Sequence, residues 1–103
     1  FAIITPALIT GSLAERVRFS AYLVFMVLFS LLIYAPLAHW TWHPDGIFYK
    51  MGILDFAGGT VVHMSAGFAA LVGARLLGPR QHKDENGHQP ARITYVLLGT
   101  GML

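Results

Sequence analysis

The amino-acid sequence predicts an all-α protein that crosses a lipid bilayer more than once, and three observations support this fold class. Hydrophobic residues make up 55% of the 103 residues, whereas charged residues make up only 12%. The hydrophobic residues are gathered into long blocks instead of recurring at amphipathic spacing. The basic residues stand at the ends of these blocks, which is typical of membrane topology and argues against a nucleic-acid partner.

The number of membrane crossings follows from the lengths of the apolar blocks. A hydrocarbon core about 30 Å thick requires roughly 20 apolar residues per helical span. We therefore expect two complete spans, residues 19–38 and 53–77, and two partial spans, residues 1–14 and 92–103. Pro6 should bend the first partial span because it removes a backbone donor. The simplest interpretation is a single transmembrane fragment of a longer protein, with a lipid bilayer as its surroundings.

The loops between the spans indicate the orientation in the membrane. Residues 39–52 surround a Pro-Asp-Gly turn and are rich in aromatic side chains, which is typical of a membrane interface. Arginine and lysine are concentrated at residues 15–18 and 78–91, whereas Lys50 is the single basic residue of the loop 39–52. By the positive-inside rule, loops 15–18 and 78–91 are predicted to be cytoplasmic and loop 39–52 to face outside.

One ionisable side chain, His63, stands within the second complete span. At about 100° per residue, His63 shares a helical face with small residues, namely Gly59, Gly67, Ala66 and Ala70. Such faces allow membrane helices to approach closely. An ionisable ring in lipid is costly and is a functional-site hypothesis by default, and the proton affinity of imidazole suits a proton relay. The alternative is a structural histidine that is hydrogen-bonded to a neighbouring helix.

The polar and aromatic residues near the outer surface have competing interpretations. Asp55 can cap the first turn of its helix, or it can attract a cation. Trp40 and Trp42 can anchor the chain at the interface, or one of them can offer its π face to a cation. His39 and His43 are four residues apart, but the turn that follows and the lack of a third ligand argue against metal binding. We predict no metal site and no cofactor.

The run DFAGGTVVHMSAG, followed by AALVGARLLGPR, resembles the signature helix of the ammonium transporter family, the Amt/Mep/Rh proteins. The segments FAIITPALITGSLAERVRFSAYLVF and IYAPLAHWTW are similar to those that precede this helix in bacterial and plant-type Amt members, so the resemblance covers the whole chain. It implies a fold of approximately eleven helices, of which this chain looks like helices 3 to 6. It also implies a homotrimer in the cell membrane, with one pore per protomer and a cytosolic PII-type regulator as a possible partner.

The resemblance also implies roles for particular residues. In this family, ammonium is recruited beside a tryptophan and beneath a phenylalanine gate, and two histidines line the pore. Trp42 then corresponds to the recruitment tryptophan, with Trp40 as a rival, and Phe1 corresponds to the gate. Asp55 corresponds to the acid near the recruitment site, and His63 to the first pore histidine.

The sequence leaves more than one functional class open. The leading hypothesis is transport of ammonium or ammonia through a hydrophobic pore, with no enzymatic step. The alternative is an ammonium sensor built on the same fold without significant transport. An intramembrane enzyme that pairs His63 with Ser65 is disfavoured, because side chains two residues apart on a helix point away from each other.

Overall fold

A computed structural model describes residues 1–80 and 92–102, and all regular secondary structure in these ranges is helical. Two helical stretches, Phe19–Lys50 and Gly59–Leu77, are long and apolar enough to cross a membrane. Residues 81–91, which make up most of the predicted loop 78–91, and residue 103 of the last predicted span lie outside the described residues. The elements, in chain order, are α1 (Ile4–Ala7), α2 (Thr10–Leu13), α3 (Phe19–Phe29), a first π turn (Ser30–Tyr34), α4 (Ala35–Trp42), α5 (Ile47–Lys50), a second π turn (Gly59–Met64), α6 (Ser65–Leu77) and α7 (Ile93–Met102).

The first crossing helix runs without a break from Phe19 to Trp42, four residues beyond the predicted boundary at residue 38. Pro36 lies within it and lacks the N–H that would bond the carbonyl four residues earlier. That carbonyl belongs to Leu32, in the first π turn, and a π turn widens the helix at such a point. The helix ends at His43, whose backbone is extended because the next residue is a proline.

The second crossing helix begins at Gly59, six residues after the predicted start at residue 53. Residues 53–58 are irregular, and Gly58 adopts a left-handed backbone with a φ of +79°. This conformation favours glycine and interrupts a right-handed helix. The helix ends at Gly78, whose φ is +72°, directly before a proline.

The predicted first span forms two short helices, α1 and α2, instead of one bent helix. Together with the crossing helices they enclose a small apolar core made of Ile9, Leu13, Phe29 and Ala66. α2 lies close to α6, and a Cβ atom placed on Gly73 would be only 3.0 Å from Leu13 Cδ2. Small residues on α6 thus admit the helix pair at the beginning of the chain.

Two arginines join the chain segments at one end of this bundle, which we call the arginine end (Arg16 and Arg80). Arg16 Nη1 donates to the main-chain oxygen of Ala74 in α6 at 3.2 Å. Arg80 Nη2 donates to Gly11 O at 2.9 Å, and Arg80 Nε lies 3.5 Å from a carboxylate oxygen of Glu15. The turn after α2 and the segment after α6 therefore lie at the same end of the molecule.

Candidate functional site

The two tryptophans that the sequence could not distinguish have different surroundings. The ring of Trp40, in α4, meets that of Phe48, in the nearby α5, edge-on, with centroids 6.1 Å apart. The ring of Trp42 lies 5.9 Å from that of Phe1, at an angle of 41°. Trp42 Nε1 also donates to the main-chain oxygen of Asp55 at 2.8 Å. Trp42 thus joins three segments that are distant in sequence, whereas Trp40 packs locally.

Phe1 is held in place although its ring is 67% exposed. Its carbonyl oxygen accepts two hydrogen bonds from Thr5, one from the main-chain N–H at 3.0 Å and one from the hydroxyl at 2.8 Å. Thr5 itself is fully buried. The first turn of the chain therefore fixes the backbone of Phe1 beside Trp42 and leaves most of its ring open.

The turn after α4 brings the aromatic loop back against the helix end. A Cβ atom placed on Gly46 would overlap the carbonyl oxygens of His39 and Trp40, so that only glycine fits there.

The rings of His39 and His43 stack with centroids 4.7 Å apart, and His43 Nδ1 accepts the main-chain N–H of Asp45 at 3.1 Å. Within residues 1–80 and 92–102, no three histidine or acidic side chains are grouped to hold a metal ion.

Asp55 caps the start of the second crossing helix from within the irregular segment. Its Oδ1 atom accepts the N–H of Gly59 at 2.7 Å. Its Oδ2 atom accepts the N–H groups of Thr60 at 2.9 Å and Val61 at 3.2 Å. These are three of the donors that a helix start leaves without intrahelical partners.

The same contacts keep the Asp55 carboxyl ionised. Its partial burial raises the pKa, but hydrogen bonds from the main chain, led by those of Thr60 and Val61, outweigh this effect and hold the pKa below its usual value. The carboxylate is thus a fixed negative charge on the same residue whose main-chain oxygen accepts the Trp42 N–H.

His63 lies in the second π turn and is exposed on the described part of the chain. It lines an open apolar groove together with Met64, Gly67, Phe68 and Leu71. The sequence analysis placed His63 on one face with Gly67 and Ala66; Gly67 lines the groove with His63, whereas Ala66 is buried in the core.

The structure brings three of the four predicted site residues together, since Trp42 contacts both Phe1 and Asp55. His63 is connected to them through the helix start that Asp55 caps. The sequence analysis gave no role to Gly58 and considered Ser65 only as a disfavoured enzymatic partner of His63, whereas both residues bond the turn that carries His63. The adjacent glycines at 58 and 59 were the available signal, because paired glycines mark a backbone that a regular helix does not require.

Comparisons with known proteins agree with the helical architecture and with the motifs. The model of the Ammonium Transporter Family matches residues 1–103. An ammonium transporter of Bacillus subtilis is 48% identical over the whole chain, which covers 25% of that protein. An ammonium transporter of Aquifex aeolicus is also 48% identical over the whole chain and 23% of its own length, and ammonium transporter Amt1 of Archaeoglobus fulgidus is 43% identical over 26% of its length.

No solved structure matches this chain. The chain spans about a quarter of the length of the curated relatives that it matches. The family model extends over every residue, and the relatives are identical at more than two positions in five. The resemblance expected from the motifs is thereby confirmed, as is the polytopic all-helical membrane class: the chain belongs to the ammonium transporter family.

Proposed function

We propose that the full-length protein carries ammonium or ammonia across a membrane, and that this chain supplies part of the entrance and one wall of the pore. The observation that carries the proposal is the contact of Trp42 with both Phe1 and Asp55, at the start of the helix that bears His63. The relatives are named as ammonium transporters, which supports transport over catalysis.

The entrance consists of Phe1 and Trp42, whose rings offer π faces to a cation. A cation over an aromatic face gains about 0.5 to 2 kcal/mol, depending on how far it is desolvated. The Asp55 carboxylate is occupied by three main-chain N–H groups, so its role at the entrance is to fix the loop and to add negative potential. We therefore assign recruitment to Trp42 and Phe1, and an electrostatic and structural role to Asp55.

Beyond the entrance, the groove beside His63 is lined by apolar side chains and glycine. A bare cation is costly in such surroundings, whereas neutral ammonia is not. Ammonium would give up a proton to the neutral imidazole of His63 as it enters the groove, and ammonia would move along the groove. A neutral imidazole both donates and accepts hydrogen bonds, so His63 can bind the passing species and relay a proton. Potassium has no proton to release and would be excluded.

The orientation and the assembly belong to the same proposal. The arginine end lies at one end of the bundle, and its positive charge supports a cytoplasmic position under the positive-inside rule. Loop 39–52 and the entrance would then face outside, in the cell membrane. A homotrimer, and a PII-type regulator at the cytoplasmic side, are expectations from the resemblance.

The test is ammonium and potassium flux into vesicles that contain the full-length protein, compared between the natural protein and His63→Ala. We expect His63→Ala to lose ammonium flux or to admit potassium. Among the described residues that line the groove, His63 is the only one with an ionisable side chain. His39→Ala is the matched control, since His39 is an exposed histidine in the outer loop and should leave both fluxes unchanged.

Two results would contradict the proposal. Unchanged ammonium flux and potassium exclusion in His63→Ala would remove the pore role of His63. If the natural protein showed no flux while ammonium still altered the binding of a cytosolic partner, the sensor alternative would replace transport.

A further inference from the structure

The start of the second crossing helix has an unusual distribution of main-chain hydrogen bonds. The N–H groups of residues 59 to 61 bond the Asp55 carboxylate. The next two N–H groups, those of Val62 and His63, both donate to the carbonyl oxygen of Gly58, at 2.8 Å and 3.0 Å. The bond from His63 spans five residues and defines the π turn, so the backbone at His63 is fixed directly by Gly58.

The position of Gly58 favours a residue without a side chain. Its φ is +79°, and a Cβ atom there would lie 2.7 Å from Val62 Cγ2 and 3.1 Å from Val62 Cβ. These distances are shorter than ordinary van der Waals contact. Any other residue at position 58 must therefore displace Val62, whose own N–H is one of the two donors.

Ser65 closes the π turn from the other side. Its main-chain N–H donates to the carbonyl of Val62, three residues earlier, whereas a regular α-helix would use the carbonyl of Val61. The Ser65 hydroxyl donates to Val61 O at 2.5 Å and lies 3.1 Å from Val62 O. A side chain thus supplies the hydrogen bond that the irregular turn withholds from Val61.

We propose that Gly58 and Ser65 are positioning residues: they hold the second π turn and thereby set the orientation of His63 relative to the entrance at Phe1, Trp42 and Asp55. The inference rests on the proposed function, because it assumes that His63 acts in the pore. If the turn relaxed to an α-helix, the residues before the turn would rotate by up to about 100° and shift by about 1.5 Å relative to α6. His63 would stay in line with Gly67 and Leu71, with which it shares the groove, but the entrance would turn away from it.

The first experiment replaces Ser65 in the full-length protein with alanine and, separately, with threonine. Ser65→Ala removes the hydroxyl that bonds Val61, whereas Ser65→Thr keeps a hydroxyl at the same position. Thr100→Ala is the matched control, because Thr100 Oγ1 donates to Val96 O at 2.8 Å within the regular helix α7. Ammonium and potassium fluxes into vesicles are divided by the amount of folded protein. A variant that only folds less well therefore shows unchanged fluxes per folded molecule.

We expect Ser65→Ala to reduce the ratio of ammonium to potassium flux by about tenfold, since a misplacement of about 1 Å in a functional group can cost that much or more. Ser65→Thr should restore the ratio, and Thr100→Ala should not change it. Electron cryomicroscopy of Ser65→Ala should show an α-helical turn at residues 59–64 and a changed orientation of His63 relative to Trp42.

The second experiment compares Gly58→Ala with Gly52→Ala. Both glycines have a φ of +79°, but nothing lies within 4 Å of a Cβ atom on Gly52. The two variants thus place a side chain at the same positive φ and differ in the contact with Val62. We expect the selectivity to fall in Gly58→Ala alone, and the double variant Gly58→Ala/Val62→Ala to recover part of it.

The inference would be overturned if the natural protein conducted ammonium and both Ser65→Ala and Gly58→Ala kept its ratio of ammonium to potassium flux. An intact π turn in the structure of Ser65→Ala would also overturn it. A natural protein that conducts no ammonium would instead contradict the proposed function. The two failures are therefore distinguishable.

Discussion

The entrance and the arginine end are both tied together by charged side chains that bind main-chain groups, but the charges are opposite. At the entrance, the Asp55 carboxylate accepts N–H groups at the start of a helix. At the arginine end, Arg16 donates to a carbonyl near the end of α6, and Arg80 donates to a carbonyl in α2. The contacts of Asp55 and Arg16 match the helix macrodipole, which is positive at the N-terminus and negative at the C-terminus.

The two ends differ in what else they hold. The main-chain oxygen of Asp55 also accepts the Trp42 N–H. The helix that the Asp55 carboxylate caps reaches His63 within two turns. Arg16 and Arg80 contact helix carbonyls and Glu15, at the end of the bundle away from Phe1 and Trp42. Substitutions at the entrance should therefore change transport, whereas substitutions at the arginine end should change stability alone.

Asp55→Ala should have the largest effect, because it leaves three main-chain N–H groups without their acceptor. We expect a loss of about 2 kcal/mol in the free energy of unfolding, the upper range for removal of a helix cap, together with loss of ammonium flux. Asp55→Asn, which keeps one carbonyl acceptor, should lose less of both. Thermal unfolding and vesicle flux measure the two quantities, and natural behaviour of Asp55→Ala would show that the cap is dispensable.

Trp42→Phe should have an intermediate effect. It keeps an aromatic face but removes the N–H that binds Asp55 O, a hydrogen bond whose net value is about 1 kcal/mol. The apparent affinity for ammonium should fall by about fivefold, as expected for a change of that size. Trp40→Phe is the control, because the Trp40 ring packs against Phe48. Equal effects of the two substitutions would remove the distinction between these tryptophans.

Arg80→Gln should have the smallest effect and should be confined to stability. The ion pair with Glu15 is partly exposed, and such pairs contribute about 0 to 1 kcal/mol. We expect a small decrease in the unfolding temperature, which added salt also produces in the natural protein. Ammonium flux per folded molecule should equal that of the natural protein. A large loss of flux would contradict the assignment of a structural role to the arginine end.

The sequence predicted the features that depend on composition and on local chemistry. Apolar block length predicted the helical membrane class, and the motif around His63 predicted the family that the comparisons confirmed. Asp55 was predicted as a possible cap, in agreement with its three observed hydrogen bonds. The physical reason is that hydropathy and capping are set by a few neighbouring residues.

The features that the sequence left out depend on contacts between distant segments or on the exact backbone. The apolar run gave no sign that residues 53–58 are irregular, since hydropathy does not report the φ of Gly58. The sequence also could not show that Trp42, and not Trp40, lies beside Phe1, which is far away in the chain. Helical periodicity also could not reveal the second π turn, because it assumes one regular angle per residue.

The first π turn, before Pro36, has a mechanical consequence for the first crossing helix. A π turn and a proline both depart from regular α-helical hydrogen bonding, so we expect residues 30–36 to bend more easily than the helical residues on either side. We therefore expect the half that ends at Trp42 to tilt more easily than the half that holds Phe29 in the core. We expect movements at the entrance to be absorbed at this hinge, so that the packing around Phe29 is isolated from them.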